Sequence, residues 1–185
     1  MRKTFAVLML AGSLISAGHA QDTTNAPKTE LELFEAQPDT VIVKGIGQPN
    51  SVTTGAGIIS LRCKESADIN SGRKQYGIVV ELMENNQPKD RAVVDYDELD
   101  SLVSGMDYLQ KISYDVTPLP GFEAVFSTKS GLRIVAYSSR RMGGIQTFLQ
   151  YGDSPRIPLA SDQVAQIRDM ISQARTALAA LMSSK

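Results

Sequence analysis

Histidine occurs once, as His19, cysteine once, as Cys63, and tryptophan not at all. Each scarcity excludes a kind of chemistry. A lone thiol cannot form an intramolecular disulfide. One histidine and one cysteine cannot assemble the usual zinc sites. No apolar run reaches the ~20 residues that a bilayer-crossing helix requires.

The first 20 residues explain where the histidine goes. Arg2 and Lys3 open the chain, residues 5–15 are mostly apolar, and Gly18, His19 and Ala20 precede Gln21. This pattern predicts a secretory signal peptide cleaved after Ala20. Cleavage removes His19, and with it any Ser-His-Asp or Cys-His nucleophile system and the one side chain that titrates near neutrality unperturbed. It leaves 17 basic and 20 acidic residues, a net charge of −3. The expected location is periplasmic or secreted, without a membrane span.

Residues 21–39 read as a disordered or weakly ordered leader. The stretch 21–28 (QDTTNAPK) is polar, 29–37 could be a short strand or a helical turn, and Pro38-Asp39 breaks the chain. Residues 40–182 then form one α+β domain of two similar halves, about 40–115 and 121–182. The alternation of Ile59, Leu61 and Cys63, and of Tyr76, Ile78, Val80 and Leu82, marks strands covered on one side. Residues 47–57 (GQPNSVTTGAG) read as a Gly-rich connection. Phe122, Ala124 and Phe126, then Leu132, Ile134 and Ala136, then Ile145, Thr147, Leu149 and Tyr151 alternate in the same way, and 156–159 make a short last strand.

Two amphipathic helices are expected. The first carries Leu99, Leu102, Met106 and Leu109, with Asp95 and Glu98 spaced as a capping box and Gly105 as a mild defect. The second, longer and C-terminal, carries Val164, Ile167, Ile171, Ala174, Leu178 and Leu181 behind Ser161 as its cap, and is expected to lie on its own sheet. At an offset of 65, Arg91 falls on Arg156, Asp97 on Asp162, Leu102 on Ile167 and Met106 on Ile171. The expected architecture is therefore a duplicated β4-α-β4-α plan with strongly curved antiparallel sheets of about eight strands.

No motif carries a definite chemistry. Residues 71–74 (SGRK) and 129–131 (KSG) match short serine–lysine patterns, but the first falls in a hairpin loop and too little chain separates the two for a penicillin-binding enzyme. Asp95, Asp97, Glu98 and Asp100 are neighbours at a helix start, where acids are favoured electrostatically. Their spacing fits neither glycosidase carboxylates nor an EF-hand. Gly45, Gly47, Gly55 and Gly57 follow no phosphate-loop pattern. Cys63, on the apolar face of its strand, reads as an inert thiol. Arg140 and Arg141, near Arg133 and Arg156 in sequence, form the one cationic concentration.

The element order over residues 40–182 resembles that of the Whirly-type single-stranded nucleic-acid binders, which carry two four-stranded sheets and two helices. The resemblance lies in the plan alone. It has no Lys-Gly-Lys-rich strand behind it and implies no site residues. The function expected from these readings is a non-catalytic exported module that binds a protein or an apolar small molecule, or serves a structural role. Catalytic, cofactor and metal residues are not assigned. The alternatives are a hydrolase using carboxylate, Tyr or Lys groups, and nucleic-acid binding on the Whirly-like plan, which the negative charge disfavours.

Overall fold

The computed structural model describes residues 28–139 and 143–184. The expected signal peptide, residues 21–27 of the expected leader, and Arg140 and Arg141 lie outside the described residues.

Two antiparallel sheets and three helices make an α+β fold. The first sheet contains β1 (Ile42–Ile46), β2 (Asn50–Thr54), β3 (Gly57–Asp68), β4 (Lys74–Glu84) and β5 (Gln87–Asp95). The second contains β6 (Gly121–Ser127), β7 (Leu132–Ser139), β8 (Ile145–Tyr151) and β9 (Ile157–Leu159), in that spatial order. The helices are α1 (Glu30–Glu35), α2 (Leu99–Lys111) and α3 (Ser161–Ser183), the last being the longest. No helix among the described residues is long and apolar enough to cross a membrane.

Several expectations are corrected. The first sheet has five strands rather than four, because the Gly-rich connection contains β2. There Val52 and Thr54 turn inward and Thr54 Oγ1 donates to the Gly57 carbonyl to close a tight hairpin onto β3. Within the expected leader, Glu30–Glu35 are a packed helix, which decides between the strand and the helical turn left open for that stretch. In α1, Thr29 and Glu32 form a reciprocal capping box, and Leu31 and Phe34, three apart, are both buried. The last helix is capped by Ala160 rather than Ser161, with Gln163 Oε1 accepting from the Ala160 N–H at 2.8 Å.

The pairing register decides which side chains meet. β1 pairs with residues 64–68 of β3 and β2 with residues 57–61, while β4 takes the other side of β3. β1 and β2 therefore share one side of β3 as a broken edge, interrupted at 47–49. On the inner face, Ile59, Leu61, Ile78, Val80, Ala92 and Val94 join one apolar core with the stripes of both long helices and the inner face of the second sheet.

The helices cross over. α2 follows the first sheet yet packs chiefly on β6 and β7 of the second, while α3 follows the second sheet and packs on β2, β3 and β4 of the first. The expectation that α3 lies on its own sheet is thus overturned. Hydrophobic periodicity says which helix face is apolar, not which sheet it meets. Two ion pairs tie the helices to each other. Arg168 chelates Asp107 at 2.9 and 3.0 Å, and Arg175 Nη2 reaches Asp100 at 2.9 Å. Seven residues forward on α3 correspond to seven back on α2, so the two run antiparallel.

The outer face of the first sheet carries α1. Gly77 supplies the space: a Cβ there would stand 2.5 Å from the Val94 carbonyl oxygen and 3.2 Å from Leu31 Cδ2. Val79 and Val93, a cross-strand pair on that face, are buried with Leu31 and Phe34.

Candidate functional site

Two constellations stand out, and the first proves to be structural. Asp95, at the end of β5, points to the outer face and receives the Glu30 N–H at 2.8 Å and the Leu31 N–H at 3.0 Å. It thereby satisfies the first donors of α1, a helix too short to persist alone. Asp97 and Glu98 stand beside it, with carboxylate oxygens of all three within 4.8 Å of one another. Such a trio could hold a cation, but Lys129 already supplies one, its ammonium 3.2 Å from Asp95 and 3.0 Å from Asp97. Burial disfavours the charged Lys129, yet the bonds to Asp97 and Asp95 outweigh it and raise its pKa. Glu98 completes the arrangement by accepting from the Asp95 N–H at 3.3 Å and the Lys129 N–H at 2.7 Å. The capping spacing read from the sequence is present. Its wider role is to clasp α1, the β5–α2 corner and the β6–β7 turn together, and Lys129 was invisible as a partner because 32 residues separate it from Asp97.

A hollow of about 410 Å³ beside the clasp is lined by Glu30, Lys74, Gln75, Tyr76, Asp95, Tyr96, Asp97 and Met182. Two of its groups are displaced away from proton transfer. The Lys74 ammonium is raised by its hydrogen bond to Glu65, at 2.9 Å, and the Tyr76 phenol is raised by burial and by Glu65. A general acid or base at neutral pH needs the opposite displacement. Of the serine–lysine motifs, Ser71 donates to Asp68 at 2.5 Å inside its turn, and Lys129 is held in the clasp. The hydroxyls of Ser138 and Tyr151 are buried without protein partners. The structure assembles no nucleophile–base pair from these residues.

The second constellation is the free edge of β1. Every residue of β1 after Ile42 is exposed, including Val43 and Ile46, and Val41 and Ile69 beside it are exposed as well. Among the described residues no strand pairs with its outer side. The edge of β2 is different: β9 lies against it, and Gln163 Nε2 donates to the Thr53 carbonyl at 2.9 Å. Next to the open edge lies a groove of about 290 Å³ lined by Gly45, Ile46, Gly47, Cys63, Leu178 and Leu181, with Lys64 and Glu65 as its charged members. Gly45 and Gly47 keep its wall low, and Leu181 at the end of α3 is 49% exposed, so apolar surface runs from strand to helix. Cys63 lines this groove half-buried, its thiol 3.8 Å from the Ala174 carbonyl and its pKa raised by burial, which fits the inert reading.

Sequence reasoning missed this groove because its parts come from residues 45–47, 63 and 178–181. The glycines were read as a connection, and the last leucine as one more core position. Of the remaining candidates, Arg156, just before β9, bonds Glu123 of β6 at 3.0 Å and is not among the groove's lining residues. No protein-family model, curated protein or solved structure matches the chain.

Proposed function

We propose that the protein is an exported, non-catalytic binding module that takes up an extended apolar segment of another protein along the open edge of β1. The observation that carries this reading is an unpaired edge strand continuous with an apolar groove. An unpaired edge is a template for strand addition, in which main-chain bonds supply affinity and side-chain pockets supply selectivity. Soluble proteins usually blunt such edges with charge or proline. Here the one charge on β1, Lys44, is drawn to Glu35 at 2.9 Å, leaving the rest of the edge apolar.

Export rests on the signal-peptide pattern of residues 1–20, and a leader cleaved after Ala20 is part of the proposal. So is duplication: the buried positions Leu99, Leu102 and Met106 of α2 match Val164, Ile167 and Ile171 of α3 at the offset of 65. The hydrolase reading is the weaker one, because Lys74 and Tyr76 in the 410 Å³ hollow are displaced from neutrality and Asp95 and Asp97 are held by Lys129.

The test is fluorescence anisotropy of the chain from Gln21 onward with short labelled peptides that alternate valine and a neutral polar residue. Saturable binding is expected, weakened about tenfold or more by Leu181→Glu, which puts an uncompensated charge into the groove. Absence of binding to any such peptide, together with turnover of ester or glycoside substrates, overturns the proposal.

A further inference from the structure

The backbone of β1 fixes how a segment sits along it. The Gly47 N–H donates to the Cys63 carbonyl at 2.9 Å, and the Val41 carbonyl accepts from the Ile69 N–H at 3.2 Å. In an antiparallel ladder a residue turns both main-chain groups the same way, and the direction alternates along the strand. Val41, Val43, Gly45 and Gly47 therefore face β3. Ile42, Lys44 and Ile46 present their N–H and C=O groups on the other side, where no strand pairs among the described residues. The side chains of a strand bonded there fall in two rows. One row shares the α1 face with Lys44, which reaches Glu35. The other shares the α3 face with Gly45 and with Cys63, whose thiol reaches Ala174.

On the α3 face, the position opposite Gly45 opens onto the 290 Å³ groove, whose apolar walls are Cys63, Leu178 and Leu181. The charged members of the groove are already paired, Glu65 with Lys74 at 2.9 Å and Lys64 with Glu35 at 2.5 Å. The fold has no steric need of a glycine at 45. Its φ is not positive, and a Cβ there would stand 3.7 Å from Glu65 Cβ, an ordinary contact. Glycine inside a strand weakens it, and away from bulges and bends it marks the close approach of a ligand or another chain. The missing side chain leaves room for a flat ring laid on the strand, an arrangement in which an aromatic neighbour covers an edge glycine.

On the α1 face, charge is out of balance. Lys44 at 2.9 Å and Lys64 at 2.5 Å share the single Glu35 carboxylate, which also accepts from the Ser66 hydroxyl at 2.6 Å. Asp68, opposite Ile42, is held by Thr40, Asn70 and Ser71. One positive charge is left over, and Lys44, its side chain 45% exposed, carries it at the edge. A directly opposed residue on an added strand stands about 5 Å from it between Cβ atoms, so an acidic side chain there is complementary.

We propose that the segment taken up by β1 carries an aromatic residue next in sequence to an acidic one, the ring seated over Gly45 against Leu181 and the carboxylate opposite Lys44. This rests on the edge-docking reading above and adds to it the chemistry of the partner.

The experiment measures anisotropy on the chain from Gln21 with three labelled peptides: alternating Val–Gln, the same with one central Val replaced by Phe, and the Phe peptide with the Gln on each side of the ring replaced by Glu. The Phe peptide is expected to bind about five- to tenfold more tightly than Val–Gln, from the added apolar area of the ring. The Glu-flanked peptide is expected to gain about a further two- to threefold, as for an exposed ion pair, and to lose that gain in added salt. Gly45→Val fills the seat of the ring with a good strand former. It is expected to stay folded by circular dichroism, to keep Val–Gln binding and to lose the preference for Phe. Leu181→Ala, at an exposed position, is expected to reduce the same preference, and Lys44→Gln to remove only the gain from Glu. Equal affinity for the Phe and Val–Gln peptides, or a preference that survives both Gly45→Val and Leu181→Ala, overturns the seat of the ring and leaves edge docking standing. Absence of the Glu gain, or its persistence in Lys44→Gln, overturns the placement of the carboxylate. Sedimentation showing a dimer that the peptides dissociate puts a second copy of the chain on this edge and overturns the choice of partner. Failure of all three peptides overturns both readings.

Discussion

Replacing Gly105 by alanine tests the packing of α2 on the second sheet with a clear sign. Interior helical glycine is normally a weakness, and alanine stabilises such a site by about 1 kcal/mol. Here a Cβ at position 105 would stand 2.3 Å from Cδ2, 2.7 Å from Cγ and 2.9 Å from Cε2 of the Phe126 ring. The ring cannot bend, and its Cγ is tethered to β6, so the helix must lift from the strand or the ring must leave its rotamer. Overpacking of this kind costs about 1–3 kcal/mol. Set against the gain in propensity, the net expectation is a loss of about 1–2 kcal/mol. With an m-value of about 2 kcal/mol/M, the urea midpoint falls by roughly 0.5–1 M. A double-mutant cycle isolates the cause: in a Phe126→Leu background the same alanine is expected to be neutral or stabilising, since the flat ring is gone. If Gly105→Ala raises the midpoint in the wild-type background, the ring does not press on the helix and the reasoning is wrong.

Two other perturbations address the outer face. Asp95→Ala leaves the N–H groups of Glu30 and Leu31 without their acceptor and removes one of the anions paired with Lys129; the expected loss is about 2–3 kcal/mol, with residues 28–36 becoming protease-sensitive before the rest of the chain unfolds, and unchanged resistance there refutes the clasp. Burial works against ionisation of Glu35, but hydrogen bonds from Lys64, Ser66 and Lys44 prevail and lower its pKa from 4.5 to about 2. Because the folded value is the depressed one, the stabilisation is complete above pH 4.5 and is lost as the pH falls toward 2. Urea midpoints measured through that window are expected to drop, and Glu35→Gln is expected to flatten the drop; an unaltered slope in the variant contradicts the assignment.

The parts of this fold legible in the sequence were those whose pattern is long. β3 and β4 alternate over many residues, and the stripes of α2 and α3 repeat for several turns, so the α+β class and the long C-terminal helix followed directly. β2 escaped because five residues with only Val52 and Thr54 turned inward look like linker. α1 was left open between a strand and a helical turn although its T-x-x-E capping signature was present at Thr29 and Glu32. Six residues cannot form a helix unaided, and the acceptor that makes this one possible, Asp95, is 65 positions away. The matched pairs Asp100–Arg175 and Asp107–Arg168 share a seven-residue spacing that could have signalled antiparallel helices. The groove left no trace, since an unpaired strand edge is a property of the whole sheet.

The exchange of helices between the sheets gives the chain a fixed order of completion. The first five strands present their apolar side to α3, which follows β9 in the chain, so a nascent chain holding everything only up to β9 still carries an uncovered sheet. Only when the 23 residues of α3 have been made does that sheet gain its cover.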